Sequence, residues 1–264
     1  PATFDERAPI GWKAAWGMSQ DYFGRRVAEY KAEGYRPHDI EVYREEGDTR
    51  FAGVWLKDDR AWYARWRYTR QAFDRDFRIL RDKGYQPVTL KILAEEGELR
   101  YSALWIENPG GPGWVMRWDL RHEEFLDELE SWRAKGYCPV HLDIYGIEGR
   151  TRYAYVMVHD PARADWTAVW GKTVEAMGPE AESLAQQGYR MLDFEPSYPQ
   201  GELRLSAIFV RDGRAGDTVW TLSRSTGQLQ AEIARLGDRY RPARMVVAPH
   251  KEGGMAYICV WRRN

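Results

Sequence analysis

The 264-residue chain has only two cysteines, too few for a disulfide framework. Cys138 and Cys259 also occupy unrelated positions in the pattern described below, so they read as two separate free thiols. Long hydrophobic runs are missing as well. The longest, such as MVV and AIFV, fall far short of a membrane span. Neither sign of charge is in excess: 39 Lys and Arg against 40 Asp and Glu give a net charge of −1. That balance excludes a basic nucleic-acid footprint and a like-charge tail. The opening PATFDERAP lacks the charged start and apolar core of a signal peptide. His38, His122, His159 and His250 are scattered over turns and a helix start without metal-ligand spacing, so no metal is implied. No glycine-rich phosphate loop precedes a helix, since Asn108–Gly113 is a linker between strands, and no cofactor is implied.

What is present is a repeat. GYQPVTLKILAEEGELRYSALWIE from Gly84 recurs as GYRPHDIEVYREEGDTRFAGVWLK from Gly34, GYCPVHLDIYGIEGRTRYAYVMVH from Gly136 and GYRMLDFEPSYPQGELRLSAIFVR from Gly188. A looser copy, RYRPARMVVAPHKEGGMAYICVWR, starts at Arg239. The anchor tyrosines Tyr35, Tyr85, Tyr137, Tyr189 and Tyr240 stand 50, 52, 52 and 51 residues apart. A period near fifty marks a repeat architecture, because a unit of that size cannot bury its own apolar face. The chain reads as a single repeat domain with a short N-terminal extension over residues 1–10. Its units run about 11–60, 61–112, 113–164, 165–217 and 218–264.

Each unit opens on a tryptophan pair, Trp12 and Trp16, Trp62 and Trp66, Trp114 and Trp118, or Trp166 and Trp170. In these β-favouring stretches the spacing of four puts both rings on one face of a short strand. In the fifth unit only Trp220 is clear. An amphipathic helix follows, with apolar stripes such as Phe23, Val27, Tyr30 and Phe73, Phe77, Leu80. Ser19, Thr69, Thr173 and Ser225 stand at its N-cap, and Gly34, Gly84, Gly136 and Gly188 at its end, with Gly237 as a stand-in. Gly178-Pro179 predicts a shortened or kinked first turn in the fourth helix. A second, alternating strand comes next. Then a glycine turn follows (Glu46-Gly47-Asp48, Glu96-Gly97-Glu98, Glu148-Gly149-Arg150, Gln200-Gly201-Glu202, Glu252-Gly253-Gly254). The third strand is apolar on both faces and should be central in its sheet.

The fold class is therefore α+β: five β-α-β-β units with one helix each. Short turns predict that the second and third strands and the first strand of the following unit form an antiparallel three-stranded meander. If the body closes into a propeller-like ring, the N-terminal strand would complete the last sheet, leaving no exposed edge. An open curved stack is the alternative.

The order Trp-x3-Trp, amphipathic helix, GYxP, xxEG and an aromatic strand ending in Trp resembles the tandem structural repeats of fungal polyglycine hydrolases and bacterial multidomain proteins. The resemblance covers about residues 11–264. It implies a non-catalytic repeat module for protein or carbohydrate recognition, accessory to larger proteins, with secretion or a cell-surface place favoured. Catalysis in polyglycine hydrolases belongs to a β-lactamase-like domain with a Ser-x-x-Lys motif. No serine here stands in that motif, so no catalytic residue carries over. A soluble monomer is expected, with no nucleic-acid partner.

Residues that repeat in every unit hold the repeat together, and Trp62, Trp66, Trp114, Trp118, Trp166, Trp170, Gly84, Tyr85, Gly136 and Tyr137 are read as such anchors. A ligand site should break the pattern, and the outward face of the second strand does. It carries Asp39 and Glu41, Thr89 and Lys91, His141 and Asp143, Asp193 and Glu195, and Arg244. On a central opening, Asp39, Glu41, His141, Asp143, Asp193 and Glu195 would converge to bind a cation, an amine or a basic peptide. The opposing reading is an ordinary solvated strand face. A second functional reading is a hydrolase in a five-unit α/β propeller, with Cys259 as nucleophile and His141 and Asp193 as its partners.

Overall fold

The computed structural model describes residues 11–163, 165–250 and 253–264. The first unit runs β1 (Trp12–Met18), α1 (Gln20–Ala32), β2 (Tyr35–Glu45) and β3 (Asp48–Lys57). The second repeats it as β4 (Trp62–Tyr68), α2 (Arg70–Asp82), β5 (Tyr85–Glu95) and β6 (Glu98–Glu107). The third holds β7 (Trp114–Leu120), α3 (His122–Arg133), β8 (Tyr137–Ile147) and β9 (Arg150–His159). The fourth holds β10 (Trp166–Lys172), α4 (Val174–Gln186), β11 (Arg190–Ser197) and β12 (Arg204–Val210). The fifth holds β13 (Thr218–Ser223), α5 (Thr226–Leu236), β14 (Tyr240–Pro249) and β15 (Met255–Arg263).

Five separate three-stranded antiparallel sheets result, ordered β1-β3-β2, β4-β6-β5, β7-β9-β8, β10-β12-β11 and β13-β15-β14. The doubly apolar third strand is central in each, as its composition requires. The meander is corrected. The partner of β3 is the first strand of its own unit, with Trp12 opposite Leu56 and Ala14 opposite Val54. A 13-residue helix spans about 20 Å, enough to carry the chain back across the sheet, so the first and second strands lie parallel with the third between them. The short loop after each third strand steps to a new sheet. The N-terminal strand consequently completes its own sheet, and the last sheet is filled by β13.

Local chemistry fixes the element ends. Ser19, Thr69, Thr173 and Ser225 accept the amides of Tyr22, Ala72, Ala176 and Gln228 at 3.2–3.3 Å. In the third unit, where Arg121 stands at the cap, Glu124 instead accepts the Arg121 amide at 3.0 Å. Gly34, Gly84, Gly136 and Gly188 all adopt positive φ, 77–88°, as a helix-ending residue does. Gly237 does not act as their stand-in: its φ is −58° and it caps α5 in right-handed geometry. Pro179 lies inside α4 without shortening it, since α4 has 13 residues like α1 and α2. Glu46-Gly47, Glu96-Gly97 and Glu148-Gly149 are consecutive left-handed pairs, the backbone of a tight two-residue hairpin. The fourth unit replaces that turn with a 3-10 turn over Pro199–Gly201. Glu252 of the fifth turn lies outside the described residues.

Every buried apolar cluster spans two neighbouring units. Phe23, Phe51 and Trp55 share one with Leu104, Trp62 and Trp66. Phe73 and Trp105 share the next with Met116 and Val156, and Phe125 and Tyr155 share theirs with Trp166 and Ile208. Met177 and Phe209 pack with Val246 and Ile258. The fifth cluster joins Leu229, Tyr257 and Trp261 to Ala52, Val54 and Leu56 of the first unit. The opening tryptophans form much of this contact. Trp66 stands edge-on to Phe23 at 5.0 Å, Trp118 to Phe73 at 4.9 Å and Trp170 to Phe125 at 5.3 Å. Trp12 and Trp16 meet Trp261 and Tyr257 in the same way. Each such edge-to-face pair contributes about 0.5–1.5 kcal/mol beyond area burial. Among the described residues no helix is long and apolar enough to cross a membrane.

Phe73 is fully buried between its own sheet and Trp118 of the next unit. Phe73→Ala should lower the free energy of unfolding by about 3–5 kcal/mol in denaturant titration.

Candidate functional site

The five second strands, β2, β5, β8, β11 and β14, lie side by side: β2 contacts β5, β5 contacts β8, β8 contacts β11, β11 contacts β14 and β14 contacts β2. Two adjacent inward positions of each therefore meet near one axis. They are Asp39 and Glu41, Thr89 and Lys91, His141 and Asp143, Asp193 and Glu195, and Arg244 and Val246. None is more than 4% exposed, so this face is turned into the protein rather than solvated.

Neighbouring strands are joined there by side chains that reach main-chain groups. Asp39 Oδ2 accepts the Met245 amide at 2.9 Å, Asp193 Oδ2 the Leu142 amide at 2.6 Å and Asp143 Oδ2 the Ile92 amide at 2.8 Å. His141 Nε2 lies 2.8 Å from the Leu90 carbonyl, which only accepts, so Nε2 carries the hydrogen. In each case a residue of one unit binds the backbone of the unit before it, and Asp39 of the first unit binds the fifth.

Two cations of the chain itself fill the space between the carboxylates. Lys91 Nζ contacts Asp143 at 2.8 Å, Glu41 at 3.4 Å and, most closely, Glu195. Arg244 is paired with Asp39, and lies 2.8 Å from Asp193, 3.0 Å from Glu195 and 3.7 Å from Glu41. Burial pushes the Glu41 carboxyl up to about 7 and raises Asp193, and it lifts Glu195 well above the usual carboxylate range. Burial also holds His141 well below its ordinary value, helped by the Arg244 and Lys91 charges, so the imidazole is neutral. The surrounding carboxylates overcome the same burial at Lys91 and Arg244 and keep both charged.

The structure thus brings together all six residues singled out on this strand face: Asp39, Glu41, His141, Asp143, Asp193 and Glu195. Sequence reasoning placed Lys91 and Arg244 on that face without seeing that they would be its counter-ions. Their signal is the break in sign at two positions that the other units fill with Asp, Glu, Thr, His or, once, Val. A second layer was also missed. Arg36 and Arg190, just after the tyrosine anchors, are buried and paired with Asp58 (2.7 Å) and Asp212 (2.6 Å) in the loops after the third strands. Despite their burial, Asp58 is held below the usual range by Arg60 and Arg36, and Asp212 by Arg190.

Cys259 is fully buried among Ala52, Val54 and Trp261, and burial pushes its thiol up. His141 Nδ1 lies 3.5 Å from Asp193, but no contact among the described residues joins His141 to the Cys259 thiol. Cys138 is buried as well, its thiol pushed up to about 12. Among the described residues no three of His, Cys, Asp and Glu converge as a metal site. The repeat anchors lie in the walls between units, Trp62 and Trp66 against the first unit, Trp114 and Trp118 against the second and Trp166 and Trp170 against the third.

Away from the axis, a cavity of about 460 Å³ opens at the junction of the first two units, lined by Lys31, Tyr35, Lys57, Asp59, Arg60 and Trp62 among others. At the matching junction of the third and fourth units the protein fills the place itself. There the Arg133 guanidinium lies 3.7 Å over the Trp166 ring and donates to the Trp166 carbonyl. Lys31 stands 5.5 Å from Trp62 and leaves the cleft open.

A family model described as polyglycine hydrolase-like, structural repeat, matches residues 9–58, 59–108, 111–160 and 163–212. These four stretches coincide with the first four units, and the fifth repeats their strand order beyond the match. A comparison with curated proteins gave no match.

Lys91→Met, which leaves Asp143 and Glu195 short of a counter-ion in a buried site, should cost about 3–5 kcal/mol of unfolding free energy. The exposed Lys83→Met should stay within about 0.5 kcal/mol of wild type in the same denaturant experiment.

Proposed function

We propose that this chain, which belongs to the polyglycine hydrolase-like structural repeat family, is a non-enzymatic recognition module closed as a five-unit, propeller-like ring. Closure is supported by the fifth unit's contacts with the first, which reproduce those between consecutive units: a shared apolar cluster, edge-on tryptophans and an aspartate on a backbone amide. The parent protein is secreted or carried on a cell surface, and the module acts as a monomer.

One observation carries the recognition reading. The carboxylate set at the axis is suited to an amine and a guanidinium, and Lys91 and Arg244 supply both from within the chain. The six inward residues then recognise an internal ligand and hold the ring. An external protein or carbohydrate is met where the repeat breaks its own pattern at the surface, and the cleft beside Trp62 is such a place. It offers an aromatic ring for stacking, with the ammonium groups of Lys31 and Lys57 nearby. A hydrolase built on Cys259 needs an accessible, low-pKa thiol, and the raised pKa and full burial of this one argue against it.

The paired substitution Lys31→Glu with Lys57→Glu should lower binding on glycan or peptide arrays at least tenfold while leaving the melting temperature near that of wild type. Equal binding by the variant would place recognition elsewhere. Alkylation of the folded protein should leave Cys259 unmodified; fast modification at neutral pH would favour the hydrolase.

A further inference from the structure

The charges at the axis do not balance. Asp39, Glu41, Asp143, Asp193 and Glu195 bring five carboxylates, and Lys91 and Arg244 bring two cations, all of them buried. The three aspartates are each compensated by a backbone amide as well as a cation. Among the described residues no backbone amide donates to either glutamate. Glu195 uses both oxygens on Lys91 and Arg244, whereas Glu41 Oε2 is buried without any hydrogen-bond donor, 3.4 Å from Lys91 and 3.7 Å from Arg244. Both carboxyl groups therefore approach the same two cations, and the uncompensated negative charge falls on this pair.

We propose that Glu41 and Glu195 together bind one proton at neutral pH, and that this proton is part of the joint between the first unit and the fourth and fifth. The groups around the pair give the proton no competing charge balance. From β2 itself come Asp39 and Tyr43, from β5 Lys91, from β8 His141 and Asp143, from β11 Asp193 and from β14 Arg244. Tyr198, just past β11, lies close enough that Glu41, Glu195 and Lys91 all act on its hydroxyl. Strand β3 presents only Ala52 opposite Glu41. Burial is the main cause that raises the Glu41 carboxyl to about 7, and the negative charge of Asp39 and Asp143 adds to it against the pull of Lys91 and Arg244.

The sign of the consequence is fixed. In the unfolded chain both glutamates lose their protons near pH 4.3. In the folded protein burial raises Glu41 to about 7 and lifts Glu195 well above its ordinary value, so the pair keeps a proton past the unfolded value. Stability contributed by the proton is thus complete below the unfolded value and is lost as pH rises through the folded one. His38 and His141, held neutral by burial, tilt stability the opposite way, so comparison at equal pH is needed.

Glu41→Gln and Glu195→Gln imitate the protonated form. The melting temperature of each variant relative to wild type should rise by about 3 °C or more between pH 5 and pH 8. A difference that stays constant over that range would overturn the proposal. Should neither variant fold, side-chain carboxyl NMR of the wild type decides. One glutamate resonance titrating near pH 7 supports the shared proton, and all glutamates titrating below pH 5 refutes it.

Discussion

A sheet of three short strands with one helix leaves its flank of large apolar side chains uncovered, and only another copy of the same unit covers it. That constraint accounts for the order of every later feature. In four units the opening strand carries a tryptophan pair against the neighbouring unit, where at least one ring of the pair stands edge-on to an aromatic residue presented there. No strand of one unit pairs with a strand of another among the described residues, so side-chain packing rather than sheet continuation holds the body together. Repeats of this kind draw their stability from interfaces, and here the fifth unit finds its interface on the first.

Packing alone would let such units slide, because apolar contacts are not directional. The polar axis supplies direction. An aspartate or histidine of one unit binds a main-chain group of its neighbour at a fixed register. Lys91 and Arg244 then bridge carboxylates from several units at once. Burying these ions costs desolvation comparable to the attraction gained, so the network adds specificity of arrangement more than net stability. It also explains how a Trp-rich body can have a charged, buried centre.

Much of this was legible in the chain. The glycine turns after Glu46, Glu96 and Glu148, the hydroxyl caps and the doubly apolar third strands each rest on local chemistry, and each appears where the repeat places it. Strand partners were not legible in the same way. Lys57 to Ala61 is a short loop, and short loops usually join neighbouring strands, yet this one leaves the sheet because β1 already occupies the open side of β3. For the site, alternation identified Asp39, Glu41, His141, Asp143, Asp193 and Glu195 as one set. It does not say which side of a strand will meet four copies of itself. That depends on how the units are turned against each other, which no single unit encodes. The role of Lys91 and Arg244 as counter-ions was hidden for the same reason.

Native-state hydrogen exchange tests the shared interior most directly. If the first and fifth units cover each other, the central-strand amides of β3 and β15, and the Met245 amide held by Asp39, should exchange with the same opening free energy as those of β6, β9 and β12. Terminal sheets that open at markedly lower free energy than the middle ones, as the ends of an open stack do, would contradict the account.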